Sequence, residues 1–312
     1  MSKMYFHIGL HKTATTFLQE QFFPQLENTT YVDRKTIHAL DGWNKMMMAD
    51  DSLYDEEEAR QEAGQWKGDQ VLVSTESLSG KPLFFHVINR TLIAKRLHSI
   101  FPDATIILFI RGQEGLLLSH YNQYVKSRDD GYRRINEFIW FPGKAEIDTS
   151  FFGKPQKLAK GYFNTSNFQV HLDTFKHFEL IELYKSLFKN VYVFLFEDLI
   201  ARPEETLTKL ANITGDNTPK IKNLGKTKSN MSLDDEALYR KRLLNRLRII
   251  VDNKVVIKLY QKVLKILPMN EENIDQKYVS HIAREYYREN NRKIIEKFPE
   301  IGIQHYTEAY KF

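Results

Sequence analysis

Tyr5-Phe6-His7-Ile8-Gly9-Leu10-His11-Lys12-Thr13-Ala14-Thr15-Thr16-Phe17-Leu18-Gln19 is the stretch whose reading decides the fold. A buried-strand run ends at Gly9, a tight turn carries Lys12, and Thr13, Thr15 and Thr16 lead into a helix. A strand running through a short turn into a helix start aims unpaired backbone N–H groups at one point, and the helix dipole favours an anion there. Lys12 adds a point charge, the threonine hydroxyls add donors, and the small Ala14 lets the backbone close around a phosphate. The same stretch also reads as a plain helix N-terminus with threonine caps and a solvated lysine.

Three further runs rich in aliphatic and aromatic residues read as buried strands: Gln70 to Ser74, Thr105 to Ile110 and Val191 to Phe196, with Met4 to Ile8 as the first. Helical patterns fall between and after them, at Thr16 to Phe23, Val87 to Ile100, Gly115 to Lys126, Phe178 to Leu187 and Glu204 to Ile213. Alternation of this kind predicts an α/β fold with a mainly parallel sheet covered by helices on both faces. Ligands of such sheets sit beyond the carboxyl ends of the strands, so residues just after each strand carry the functional expectation.

The segment 131–172 is rich in Gly, Phe, Lys and Asn with weak periodicity and reads as a long loop or insertion facing the substrate. From about residue 223 the chain turns charged and helical, through Ser232 to Leu247, Lys254 to Leu267 and Gln276 to Lys297. The expected organisation is a single domain over 1–312, an α/β core over 1–222 and a helical extension over 223–312.

Bulk properties narrow the function classes. The 312 residues carry a net charge of +5, which suits an anionic partner, but Lys and Arg are dispersed and argue poorly for nucleic acid. No cysteine is present, which removes disulfides, thiolate metal sites and cysteine nucleophiles. The first residues show no signal-peptide pattern, and no run reaches about 18 apolar residues. The expectation is a cytoplasmic chain, with a location at the inner face of a membrane left open by one basic amphipathic stretch over 248–267 that can lie on a membrane surface or pack on the core.

The first loop does not match the nucleotide triphosphate pattern G-x-x-x-x-G-K-[ST], being too short and lacking a glycine before the lysine. It resembles the phosphosulfate-binding loop of the PAPS-dependent sulfotransferase superfamily, a hydrophobic strand, G, two or three residues and then K-x-G-T-[ST], through Gly9, Lys12, Thr15 and Thr16. Ala14 stands where that family usually has glycine, a departure expected to cost little space. The strand Thr105 to Ile110 delivers Arg111, and Ser119 follows eight residues later, an arginine and serine at the spacing that binds the 3'-phosphate in that superfamily. Arg111 could instead make a structural ion pair with Glu114 or Glu197. Tyr192 to Leu199 is similar to the family's strand followed by E-D-L, and Gly225 to Ser232 resembles its late loop closing over the nucleotide, with Lys226 and Lys228 reaching phosphates or solvent.

The resemblance implies a P-loop-like sulfotransferase fold of bacterial type, closer to the carbohydrate and heparan enzymes than to the small-molecule ones. It implies 3'-phosphoadenosine 5'-phosphosulfate (PAPS) as sulfuryl donor, PAP as product, no obligatory metal, and a hydroxyl-bearing acceptor, a saccharide before others. Gly9, His11, Lys12, Thr13, Ala14, Thr15, Thr16, Arg111, Ser119, Lys226 and Lys228 become the expected nucleotide contacts, and Lys12 the group that neutralises the leaving oxygen. Glu76, just past the strand Gln70 to Ser74, takes the position of the heparan-type general base, its pKa lowered by Lys12. It also reads as a helix cap or salt-bridge partner, and His7, His11 and His86 are alternative bases. Two other readings compete: a nucleotide kinase or ATPase using Glu197 and Asp198 for magnesium, and a membrane-associated scaffold.

Overall fold

The computed structural model describes residues 2–80, 89–127, 131–140, 170–217, 234–266 and 274–312. Five strands form one sheet: β1 (Lys3–His7), β2 (Thr30–Val32), β3 (Gln70–Ser74), β4 (Thr105–Ile110) and, after the short β5 (Ile139–Trp140) and β6 (Val170–His171), β7 (Asn190–Leu195). The order is β2-β3-β1-β4-β7, and every pairing is parallel. The α/β architecture expected from the sequence is therefore the one observed.

Register and alternation explain how both faces are buried. Phe6 pairs with Val73 and Ile106 and points, with Ile8, Val71 and Leu108, into one apolar cluster that also takes in Tyr278, Ile282 and Tyr287 of the C-terminal helix Ile274–Lys297. The alternate residues Tyr5, Leu72, Ile107 and Phe109 turn to the other face and pack on Leu18, Phe22 and Phe23 of the first helical segment and on Leu207 and Leu210 of Pro203–Ile213. Burying both sides makes the strand runs read as continuous rather than alternating hydrophobicity.

The chain leaves β1, lays β2 and β3 on one side, then crosses to β4 on the other. The crevice between the carboxyl ends of β1 and β4 is thus the topological switch point, where ligands of open α/β sheets sit.

Boundaries moved where end effects outweighed periodicity. The strand expected to reach Ile8 ends at His7, and the one expected over Val191 to Phe196 is Asn190–Leu195, because Phe196 opens the helix Phe196–Ala201. The edge strand β2 and the helices Arg34–His38, Asp41–Met48 and Glu56–Ala63 were not expected: they are short or strongly charged, and two of the helices are set by capping aspartates. Asp33 accepts from the Thr36 N–H and Asp55 from those of Glu57 and Glu58. The segment 131–172 is not all loop, since it contains the helix Ile135–Phe138 and the parallel pair β5 and β6; residues 141–169 lie outside the described part, as do residues 87 and 88 of the helix now bounded by Arg90–Ile100.

Candidate functional site

The turn after β1 is held in a shape that few sequences adopt. Gly9, Lys12 and Ala14 all have positive φ, at 46°, 72° and 64°. Glycine is required at the first, where a Cβ would meet Thr15 Cγ2 at 2.7 Å. Lys12 and Ala14 carry side chains in the left-handed region, a cost of about 1–2 kcal/mol each. The expectation that alanine for glycine costs little space misplaced the penalty: at Ala14 it is conformational. Local strain held by the surrounding structure is typical of ligand-binding turns.

Thr13 corrects a second expectation. Its hydroxyl donates to the Leu10 carbonyl at 2.6 Å and accepts from the Leu10 N–H at 3.4 Å, and its side chain is fully buried. It closes the turn, so its hydroxyl is engaged within the protein. Thr15 likewise has its hydroxyl engaged by protein, donating to Glu76 Oε1 at 2.6 Å.

Arg111, at the end of β4, donates from Nη1 to the Lys12 carbonyl at 3.1 Å, and its guanidinium stacks on the Phe196 ring at 4.3 Å. The two strand ends either side of the crevice are thereby joined. Neither acid proposed as an ion-pair partner is spent on Arg111. Glu197 accepts from the Gly112 N–H at 3.0 Å and from the Tyr310 hydroxyl at 3.1 Å, while Glu114 pairs with Lys311 at 3.2 Å. Asp198, the other supposed magnesium ligand, is bonded to Arg202 and to the Tyr306 hydroxyl.

Burial pushes the Arg111 guanidinium below its usual range, with Glu197 and Tyr310 opposing the shift. Lys12 is lowered first by burial, then by the like charges of Lys126 and Arg111, with Glu76 partly compensating. Lys12 thus feels two like charges, Lys126 and Arg111, an arrangement relieved by an anion.

Glu76 is 7% exposed and begins the short helix Glu76–Ser79, whose cap is Thr75 rather than itself. Burial raises its pKa, but His11, the Thr15 hydroxyl, its own backbone N–H and His7 reverse this, so the carboxyl lies below the ordinary range. The largest lowering influence on Glu76 is His11, while the interaction between Glu76 and Lys12 shows on the lysine, whose pKa Glu76 raises. Gln19 Nε2 bonds the Ser74 hydroxyl at 3.1 Å and reaches Glu76 Oε2 at 3.5 Å, and Ser74 in turn meets His7 Nδ1 at 2.7 Å. His7 itself is fully buried between the edges of Phe23 and Phe109 and lies at a pKa of about 4, chiefly through burial, opposed by Glu76.

Thr16 is half-buried beside Thr15 at the helix start, and Ser119 is half-buried on the helix Gln113–Ser127 that opens two residues after Arg111. Lys226, Lys228 and His86 lie outside the described residues.

Four contributors were missed. Gln19 sits four residues after Thr15 and Lys126 seven after Ser119, so both share a helix face with an expected ligand and were legible by spacing. His120 follows Ser119: its ring is fully buried, stacks on Phe175 at 5.1 Å and lies 6.4 Å from that of His11, with burial, His11, Lys12 and Arg111 all suppressing its protonation. His177 donates from Nε2 to the Arg111 carbonyl at 2.8 Å and fixes the strand end from a distant helix, which no local pattern reveals.

No protein-family model matches the chain. No curated protein matches it. Among solved structures it is similar to a sulfotransferase from Alicyclobacillus acidocaldarius, known from its crystal structure, with 14% identity and a TM-score of 0.46 over 86% of this chain and 98% of that one.

Proposed function

We propose that the protein transfers a sulfuryl group from PAPS to a hydroxyl of a carbohydrate or glycoconjugate. The observation that carries this reading is the junction of Lys12 and Arg111 across the switch point, with Lys126 adding charge and the Glu76 carboxylate held on the same turn through Thr15. A doubly phosphorylated adenosine needs two anion-binding groups, one for each phosphate position. The turn of Lys12 supplies one, and Arg111 with Ser119 supplies the other.

In this reading the backbone N–H groups from Lys12 to Thr16 hold the 5'-phosphate, and Arg111 forks onto the 3'-phosphate. Glu76 accepts the proton of the acceptor hydroxyl as its oxygen bonds to sulfur. Lys12 stabilises the charge that builds on the phosphate oxygen as the sulfur–oxygen bond of the donor breaks and PAP departs. Ionised at neutral pH, Glu76 is in the form this step requires. Thr15 and Gln19 hold its oxygens in place. Atoms balance: the hydroxyl proton goes to Glu76, the sulfuryl group to the acceptor oxygen, and the electron pair to PAP.

The test is PAP release from PAPS in the presence of saccharide acceptors. Release by the wild-type protein and its loss in Lys12→Ala support the reading; equal rates in the two would overturn it.

A further inference from the structure

The helix Lys254–Ile266, KVVIKLYQKVLKI, contains four lysines and no acidic residue. At about 100° per residue, Val255, Val256, Leu259, Val263 and Ile266 fall within one arc of about 100°. That arc is exposed: Val255 and Ile266 are 76% and 82% accessible, and Leu259 is 64%. Leu264, on the opposite side, is buried and ties the helix to its neighbour Asp235–Ile250, whose last two residues, Ile249 and Ile250, are themselves exposed. The apolar face therefore points away from the body of the protein.

Lys254, Lys258, Lys262 and Lys265 form a stripe along one flank of the apolar arc. Between the stripe and the preceding helix runs a groove of about 480 Å³, lined by Arg240, Lys241, Lys258, Lys262 and Lys265 beside Leu264. Arg240 is partnered by Glu236, and among the described residues that line the groove none is acidic.

We infer that this face docks on a membrane whose surface is rich in anionic lipid. An exposed apolar arc beside a lysine stripe is the pattern of a helix lying in the interfacial plane: the aliphatic side chains enter the acyl boundary and the cations meet lipid phosphates. Charge decides between occupants. A second copy packed on the same face would bring four lysines against four, and a nucleic acid would leave five aliphatic side chains in water. No helix among the described residues is long and apolar enough to cross a membrane, so the contact is peripheral. The surface stands independently of the chemistry at the Lys12 turn.

The experiment is flotation of the full chain with vesicles of phosphatidylcholine alone or mixed with phosphatidylglycerol, for the wild type, Leu259→Glu and the pair Lys258→Glu with Lys262→Glu. The chain is expected to float with the mixed vesicles, to bind pure phosphatidylcholine at least about tenfold less, and to lose binding by about tenfold or more in both variants and in ~0.5 M salt. All substituted positions are exposed, and unchanged circular dichroism confirms that the variants fold. Absence of flotation with mixed vesicles overturns the inference, as does undiminished binding by Leu259→Glu. A dimer in light scattering that Leu259→Glu dissociates, without any vesicle binding, assigns the face to a second copy and overturns it equally.

Discussion

Arg111 Nη1 and the Lys12 carbonyl lie 3.1 Å apart, so the arginine that ends one strand fastens the lysine-bearing turn that ends its neighbour. The guanidinium uses one donor on the turn and stacks one face on Phe196, and among the described residues its remaining donors make no further hydrogen bond. His177 holds its carbonyl from behind, so the cation is positioned by three separate elements.

The strain in the turn predicts a gain of stability. Ala14→Gly relieves a left-handed alanine, while the freer unfolded chain takes back part of the gain. A net increase of up to about 1 kcal/mol in urea unfolding is expected. A decrease would show that Ala14 is not in the left-handed region.

Glu76 and its supports predict a division of kinetic effects. Glu76→Gln is expected to reduce kcat about a hundredfold or more with little change in PAP affinity, because the amide cannot accept the proton. Gln19→Ala is expected to reduce kcat less, since Thr15 still holds the carboxylate. Steady-state kinetics beside nucleotide titration separate the two. Wild-type turnover in Glu76→Gln assigns the base elsewhere.

The close approach of the C-terminal segment to the end of β4 predicts intolerance at Gly112. A Cβ there would meet the Ala309 carbonyl oxygen at 2.3 Å, so Gly112→Ala must push the helix Thr307–Tyr310 outward. A loss of about 1–3 kcal/mol is expected, with weaker nucleotide binding because Tyr310 and Glu197 move with the strand end. Wild-type stability in this variant contradicts the packing described.

Buried histidines predict how stability depends on pH. His177 and His7 each titrate at about 4 in the folded chain, both chiefly through burial, against 6.5 when exposed. Between these values the unfolded chain binds protons that the folded chain refuses, so stability is full above about 6.5 and falls as pH drops toward 4. Each such histidine removes about 1.4 kcal/mol per pH unit in that window. The urea midpoint is expected to be lower at pH 5 than at pH 7, with a smaller difference in His177→Asn. Equal midpoints would contradict it.

The sheet was legible because Tyr5 to Ile8, Val71 to Val73 and Ile106 to Ile110 are buried on both faces and therefore, His7 apart, appear as apolar runs. The edge strand Thr30–Val32 was not legible, because three residues with one paired edge need no such run. At the site, the spacing of Gly9, Lys12 and Thr15 was readable and the roles of individual hydroxyls were not. Thr13 turns inward and Thr15 turns to Glu76, choices set by turn geometry and by a carboxylate 61 residues away. His177 and Tyr310 act across the fold, and nothing near them in sequence announces it.

The central claim, two anion pockets serving one doubly phosphorylated adenosine, is tested most directly by calorimetric titration of PAP without magnesium, beside 5'-AMP and ATP with magnesium. PAP is expected to bind more tightly than either, and Arg111→Ala to weaken PAP by about 10- to 100-fold and 5'-AMP by clearly less, the loss on 5'-AMP coming only from the loosened Lys12 turn. Binding of 5'-AMP as tight as that of PAP, or a preference for ATP with magnesium, would contradict the account.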